Sequence, residues 1–213
     1  MTKTVVVSIG AHPDDVELGM GGTLAKHSKR GDEIHIILCT LGIGGTSGDP
    51  RAREKEAQEA AKILNAKLHI LDYPVLKLNK SSTEFEGILR RTINDINPNR
   101  LYVHSPFDYH QVHESVSECT TNAAKDVQQV IYYEIISSTS PEFRANAYVD
   151  ITDYIDKKIE CLAPHSTQSS KLYMHSHMIR SLAHTRYILG RIGRRQDGMA
   201  EAFTIGRMVI SNY

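Results

Sequence analysis

Apolar, β-branched runs alternate with helical patterns through the first two thirds of this chain, and this alternation constrains the fold more than any other feature. Five segments have the composition and length of strands, at residues 4–10, 33–40, 67–73, 100–104 and 130–136. Apolar residues recur at helical spacing between them, at residues 19–30, 51–64, 83–96 and 112–126. Strands that alternate with helices predict a doubly wound, mostly parallel α/β sheet, in the order of about 3-2-1-4-5.

The last third of the chain has weaker patterns. Residues 151–162 and 172–190 have helical spacing, and residues 203–210 have the composition of an edge strand. We therefore predict a C-terminal helical extension to the sheet. Because no linker, repeat or break in composition interrupts the 213 residues, we expect a single domain, 1–213.

Composition argues against several classes of function. Lys plus Arg and Asp plus Glu number 25 each, so no overall field favours nucleic acid or an anionic membrane surface. No apolar run of about 18 residues predicts a membrane span, and the first ten residues have the pattern of a strand rather than of a signal peptide. Cys39, Cys119 and Cys161 are widely spaced in apolar or helical contexts, which predicts reduced core thiols. We expect a soluble, cytoplasmic protein.

A first polar cluster follows the first predicted strand and contains His12, Asp14 and Asp15. Pro13 cannot continue a strand ladder, so the cluster should lie just beyond the carboxyl end of the strand, where open α/β sheets bind ligands. Imidazole nitrogens and carboxylate oxygens are common ligands of zinc and related divalent metals. The alternative is a turn in which one of the two aspartates only caps the next helix.

A second polar cluster, residues 104–113, follows the fourth predicted strand and contains His110 and His113. Histidines three residues apart share one face of a helix. In a sheet ordered 3-2-1-4-5 the first and fourth strands are neighbours, so both clusters would line the crevice between their carboxyl ends. The two clusters together predict a metal site.

The combination of Ala11-His12-Pro13-Asp14-Asp15 with the later Asp108-x-His110-x-x-His113 resembles the PIG-L/LmbE-like family of metal-dependent de-N-acetylases. Weaker similarities follow in order: Arg51-x-x-Glu54, Tyr148-Val149-Asp150-Ile151-Thr152, His165-Ser166-x-Gln168 and Ala200-Glu201-Ala202-Phe203. The resemblance implies a Rossmann-like fold that carries Zn²⁺, or Fe²⁺ in some settings. It also implies hydrolysis of the acetamide of an N-acetylglucosamine-type sugar conjugate, a small-molecule partner.

By position, the resemblance implies roles for individual residues. The metal ligands would be His12, Asp15 and His113, which leaves an open position for water. Asp14 would be the general base and His110 the general acid. Three further residues are predicted to lie at the substrate, namely Arg51, Asp108 and His165.

Two departures from the family pattern stand out. Val16 takes the place where a glutamate often follows the two aspartates, and Glu17 one residue later can still favour the N-terminus of the next helix. Between the two histidines, Gln111 and Val112 replace the usual Pro-Asp. That aspartate would orient the acid histidine, which valine cannot do, and Asp108 could take its place if the loop folds back.

Several alternatives stay open from the sequence. The same centre could hydrolyse another small amide, or an acylated amino sugar attached to a nucleotide, a lipid or a small thiol precursor. A non-catalytic sugar- or metal-binding protein would not need Asp14. A nucleotide-binding oxidoreductase is disfavoured because Gly19-Met20-Gly21-Gly22 is not the dinucleotide fingerprint. The glycine-rich segment 41–50 is either a substrate-closing loop or a connector, and a homo-oligomer would have to form through globular surfaces.

Overall fold

Five parallel strands form the centre of the sheet in this computed structural model, which describes residues 3–42 and 49–209. The strands are β1 (Val5–Gly10), β2 (Glu33–Leu38), β3 (Lys67–Ile70), β4 (Arg100–His104) and β5 (Gln129–Tyr133). They pair in the order 3-2-1-4-5, which confirms the predicted topology.

Helices cover both faces of this sheet. The four helices that connect the parallel strands are α1 (Asp15–Lys29), α2 (Pro50–Ile63), α3 (Thr83–Ile96) and α4 (Gln111–Ala123). Side chains of β1 alternate between the two faces, so that Val6 packs with α1 and α2 whereas Val7 packs with α3 and α4. Burial on both faces explains why the parallel strands are continuous apolar runs.

The C-terminal part contains more strand than the sequence predicted. The two predicted helices are present as α5 (Ile155–Leu162) and α6 (Ser176–Leu189), each preceded by a short 3₁₀ turn. Two antiparallel strands, β6 (Ala147–Asp150) and β7 (Ala200–Met208), extend the sheet beyond β5.

The prediction of an edge strand at residues 203–210 was wrong in its position. β7 begins at Ala200 and lies between β5 and β6, so that β6 is the edge strand. The four half-buried residues of β6 are too few to show a strand pattern in the sequence. The strand that covers the outer side of β7 was therefore missed.

The three cysteines are buried and form no disulfide. No helix in the described ranges is long and apolar enough to cross a membrane.

Candidate metal centre

The two polar clusters meet at the carboxyl ends of β1 and β4, which are neighbours in the sheet. After β1 the chain turns sharply at Asp14, whose φ of 102° lies in the left-handed region. The backbone N–H of His12 donates to Oδ2 of Asp15 over 2.7 Å, which closes the turn. The turn thus places His12, Asp14 and Asp15 together at the start of α1.

Asp15 lies between the two predicted imidazole ligands and approaches each of them through a different carboxylate oxygen. Nδ1 of His12 is 3.4 Å from Oδ2 of Asp15, and Nε2 of His113 is 3.5 Å from Oδ1 of the same carboxylate. Tetrahedral ligand atoms about 2.1 Å from zinc would lie roughly 3.4 Å apart. A set of two imidazoles and one carboxylate suits zinc or ferrous iron, so these residues fit the metal that the sequence predicts.

Two further histidines lie within reach of the same centre. Potential ligand atoms of His12, His110 and His113 lie within 4.8 Å of one another, and so do those of Asp15, His104 and His113. His113 belongs to both groups and is therefore the central residue of the cluster. The geometry leaves His110 close enough to act as a ligand as well as in the acid role that the sequence predicts.

Asp108 orients His113 rather than the ring of His110. Its Oδ2 lies 3.3 Å from Nδ1 of His113, while its Oδ1 accepts the backbone N–H of His110 over 2.8 Å. A carboxylate behind a ligand histidine fixes the ring and its tautomer. Burial lowers the pKa of His113, but Asp15 and Asp108 outweigh that effect and raise the pKa to about 10. Metal binding through Nε2 would therefore release a proton.

His110 caps the N-terminus of α4. Its Nδ1 accepts the backbone N–H of Val112 over 3.2 Å, so the neutral ring carries its hydrogen on Nε2. Partial burial together with His113 and His12 lowers the pKa of His110 to about 4. The ring is therefore neutral at pH 7 and presents Nε2–H as a donor.

Asp14 is buried beside Arg53, a residue that the sequence analysis did not select. Nη2 of Arg53 lies 3.5 Å from Oδ1 of Asp14 and donates to the carbonyl of Pro13 over 2.7 Å. Burial and the nearby Asp15 raise the pKa of Asp14 to about 7, although Arg53 opposes the rise. A carboxyl group that titrates near neutrality suits a general base.

The residue at which α2 begins determines which of its first two arginines, Arg51 or Arg53, faces inward. Asp49 caps the helix by accepting the backbone N–H of Arg51 over 3.0 Å. From that start Arg51 is exposed, whereas Arg53 is turned inward and is only 6% exposed. Arg51 is not among the described residues that line the cleft described below, whereas Arg53 is.

His104 is a second residue to which the sequence analysis gave no role. It is fully buried and stacks on His113 with ring centroids 4.0 Å apart. Its Nε2 accepts the backbone N–H of Ala11 over 3.0 Å and lies 3.2 Å from Oδ2 of Asp15. The only signal in the sequence was its position as the last residue of the fourth strand. Burial and the neighbouring His113 lower its pKa to about 4, so the ring supports the ligands as a neutral group.

His165 lies behind the site rather than in the cleft. It is buried, and its Nε2 is 3.6 Å from Oε2 of Glu17. Glu56 of α2 accepts hydrogen bonds of 2.7 to 2.8 Å from the hydroxyls of Ser166 and Thr167 and from the backbone N–H of Thr167. These bonds tie the segment that follows His165 to the helix that carries Arg53.

A cleft of about 580 Å³ opens over the metal centre. Its polar floor includes the predicted ligands, Asp14, Arg53 and His110. Apolar side chains of Val75, Leu76, Val112 and Tyr173 form much of its wall, and Lys171 contributes a cation. Residues 43–48 of the predicted substrate-closing loop lie outside the described residues.

A parallel α/β sheet with an imidazole and carboxylate cluster at its carboxyl edge offers the ligand types of a divalent metal site next to a cleft of small-molecule size. The family model described as GlcNAc-PI de-N-acetylase, PIG-L, matches residues 7–124. The chain belongs to the PIG-L family.

The curated relatives include proteins named as deacetylases and one named as a hydratase. The chain is 31% identical over 169 residues to the uncharacterized deacetylase YaiS of Escherichia coli, covering 76% of this chain and 90% of that protein. It is 24% identical over 186 residues to diacetylchitobiose deacetylase of Thermococcus kodakarensis, covering 76% and 69%. It is also 24% identical over 188 residues to 4-oxalmesaconate hydratase of Pseudomonas putida, covering 73% and 71%.

Solved structures share the fold along nearly the whole chain. The conserved protein TT1542 of Thermus thermophilus aligns with a TM-score of 0.82 and 24% identity, covering 98% of this chain and 97% of that one. The 4-carboxy-2-hydroxymuconate hydratase of Pseudomonas putida aligns with a TM-score of 0.80 and 20% identity, covering 100% and 99%.

Proposed function

We propose that this protein is a metal-dependent N-deacetylase that releases acetate from an N-acetylglucosamine-type sugar conjugate. The observation that carries the proposal is the placement of a buried carboxyl, Asp14, directly beside His12, Asp15 and His113 at the floor of an open cleft. A protein that only bound metal or sugar would have no need for a carboxyl held in a left-handed turn. The deacetylase relatives support the same assignment.

His12, Asp15 and His113 would hold the ion. Zinc or ferrous iron bound there would supply a Lewis acid for the amide carbonyl and would lower the pKa of water toward neutrality. Asp108 keeps the His113 ring in place through Nδ1, and the buried ring of His104 stacks on the same His113 ring.

Asp14 takes the proton of the attacking water on its carboxylate. The buried Arg53 holds that carboxylate toward the cleft through the contact at Oδ1. His110 faces the leaving nitrogen with Nε2–H, because its Nδ1 is occupied by the N–H of Val112. Amide cleavage also requires a proton for the departing amine. Asp14 can return to this nitrogen the proton that it took from water, and we assign to Nε2–H of His110 the hydrogen bond that stabilises the leaving group.

Elemental analysis and acetate release test the proposal together. We expect tight, near-stoichiometric zinc or iron in the wild type and its loss in folded His113→Ala. Asp14→Asn should retain the metal and lose roughly 10²- to 10⁴-fold in the rate of acetate release from a panel of N-acetylglucosaminides. A wild type that takes up neither metal, or an Asp14→Asn variant with full activity, would refute the mechanism.

Two substitutions of His110 distinguish hydrogen-bond donation from proton transfer by this residue. Gln keeps an N–H donor but has no proton to transfer, whereas Ala removes both functions. Because the His110 ring is neutral at pH 7, we expect His110→Gln to retain more activity than His110→Ala. Equal loss in both variants would favour the general acid that the sequence predicts.

Hydration of a carbon–carbon double bond is a second candidate function, favoured by the Pseudomonas putida hydratase among the curated relatives. Lys171 in the cleft could bind a carboxylate of an unsaturated acid. An assay for loss of the ultraviolet absorbance of a 2-hydroxymuconate-type acid, run beside the acetate assay, distinguishes the two reactions. The deacetylase assignment fails if only the unsaturated acid is consumed.

A further inference from the structure

Helix α1 is interrupted one turn after the metal-site residues. Met20 has a φ of −148° and a ψ of 21°, outside the helical region. In a regular helix the N–H of Gly22 would donate to the carbonyl of Leu18. Here each of these two groups has a charged partner from the C-terminal part of the chain.

A buried ion pair spans the break in the helix. The carbonyl of Leu18 accepts from Nζ of Lys158 over 2.7 Å, and the N–H of Gly22 donates to Oε1 of Glu201 over 3.0 Å. Lys158 and Glu201 are 2.5 Å apart and each is only 4% exposed. The pair therefore bridges the two halves of the helix in the order carbonyl, ammonium, carboxylate, N–H.

Each member of the pair matches the helix end that it contacts. Glu201 also accepts the N–H of Thr23 over 2.7 Å, so its carboxylate caps the N-terminus of the second half. Lys158 places its charge at the C-terminus of the first half, where the helix dipole favours a cation. The break is thus satisfied by hydrogen bonds at both of its sides.

Glycines explain why the helix lies so close to its neighbours at this point. A Cβ on Gly19 would lie 2.4 Å from the ring of Tyr133, and a Cβ on Gly22 would lie 2.7 Å from Cδ1 of Ile151. The first half of α1 is therefore packed against β5 at Gly19, and the second half against the C-terminal part of the chain at Gly22. Because the first half contains little more than one turn, its position depends on such contacts rather than on its own helical bonds.

We propose that Lys158 and Glu201 position the metal centre, because they fix the C-terminal end of the short helical turn that begins with Asp15. This turn carries one predicted ligand and follows the strained Asp14 directly. Both positioning residues lie outside residues 7–124, the part matched by the family model. The inference rests on the proposed metal centre, and it makes the position of the Asp15 ligand depend on the C-terminal region.

Zinc binding to the full-length protein tests this proposal without an activity assay. Glu201→Gln removes the charge that pairs with Lys158 and leaves one acceptor for two N–H groups. We expect the zinc affinity, measured by calorimetry after removal of metal, to fall about tenfold or more. The visible spectrum of the cobalt-loaded variant should also change, because that spectrum reports the geometry of the ligands.

Glu134→Gln is the matched control. Glu134 is also a buried carboxylate, and it forms an ion pair with Arg186 of α6 along the same side of the sheet. Its variant should lose stability but keep the zinc affinity and the cobalt spectrum of the wild type. If Glu201→Gln does not fold, Lys158→Met supplies the comparison, because Glu201 then keeps its bonds to Gly22 and Thr23.

The outcomes separate this inference from the proposed function. A wild type that binds no zinc refutes both. Wild-type zinc affinity in Glu201→Gln, or in Lys158→Met where that variant replaces it, refutes the positioning role alone. An equal loss of affinity in Glu134→Gln also overturns the inference, because zinc binding would then follow general stability.

Discussion

Replacing Arg53 by Met should change how the reaction depends on pH. Arg53 is the cation closest to Asp14 in the described structure, at 3.5 Å, and each residue is only 6% exposed. Asp15 and Glu17 raise the pKa of Asp14, whereas Arg53 and His165 lower it. Removal of the guanidinium should therefore raise this pKa further.

The size of the effect follows from the geometry. Two unit charges 3.5 Å apart interact by roughly 5 kcal/mol at an effective dielectric constant of ~20. Water that enters the space left by the Arg53 side chain will screen part of that loss. We expect a rise of about one to two pKa units, since one unit corresponds to about 1.4 kcal/mol.

The assay is kcat/KM for acetate release as a function of pH. A base works in its ionised form, so the acidic limb of the Arg53→Met profile should move to higher pH by about one to two units. Activity at pH 7 should fall about 5- to 50-fold and recover at higher pH, since the ionised fraction of Asp14 falls by that factor. Lys55→Met removes an exposed cation from the same helix and should leave the profile unchanged.

The reasoning is refuted if Arg53→Met loses the same factor at every pH. That result would mean that Arg53 binds substrate rather than Asp14. Arg51→Met tests the prediction from sequence in the same series. A rise in KM for that variant, with an unshifted profile, would place the substrate over the exposed start of α2.

Three further predictions concern the metal and the fold. Asp108→Asn should weaken zinc binding about 10- to 100-fold, because the negative charge beside Nδ1 of His113 is lost, and an unchanged Kd by calorimetry would contradict this. Burial lowers the pKa of His27, so below pH 6.5 the unfolded chain binds a proton that the folded chain does not. Urea unfolding at about pH 7.5 and about pH 5.5 should show a loss of stability that is smaller in His27→Gln. Gly22→Ala should cost about 1–3 kcal/mol by overpacking, whereas Gly87→Ala, within α3 and without close neighbours, should gain up to about 1 kcal/mol in thermal unfolding.

The sequence was sufficient for the parallel half of the sheet because several independent signals agreed there. β4 was predicted with the bounds that it has, since a short apolar run is bounded by Pro98 on one side and by the polar cluster on the other. The end of its neighbour β1 was predicted in the same way, because Pro13 follows the apolar run and cannot continue a strand. Once the order of these strands was known, the meeting of the two clusters followed from topology alone.

Side-chain direction was the part that the sequence could not supply. The sequence left open whether Asp108 orients His110 by a folding back of the loop, but its side chain turns to His113 and only the backbone N–H of His110 reaches it. The choice between Arg51 and Arg53 depended on where α2 begins, and a shift of two residues moves a side chain to the other side of a helix. Such choices are made by caps and by packing, which single residues in a sequence do not reveal.

The metal centre was easier to predict than the substrate because the candidate ligands and part of the cleft wall come from different regions of the chain. The candidate ligands and Asp14 lie on two short turns within residues 7–124, where local patterns are strong. The C-terminal region adds Lys171 and Tyr173 to the cleft wall and the ion pair that bridges α1. Because this region contacts both the cleft and the helix behind it, a change in it can alter the substrate while the same ligands remain. Such an arrangement would allow relatives with deacetylase and hydratase names to share one fold. We therefore expect the residues that select between these reactions to lie in the C-terminal region around the cleft.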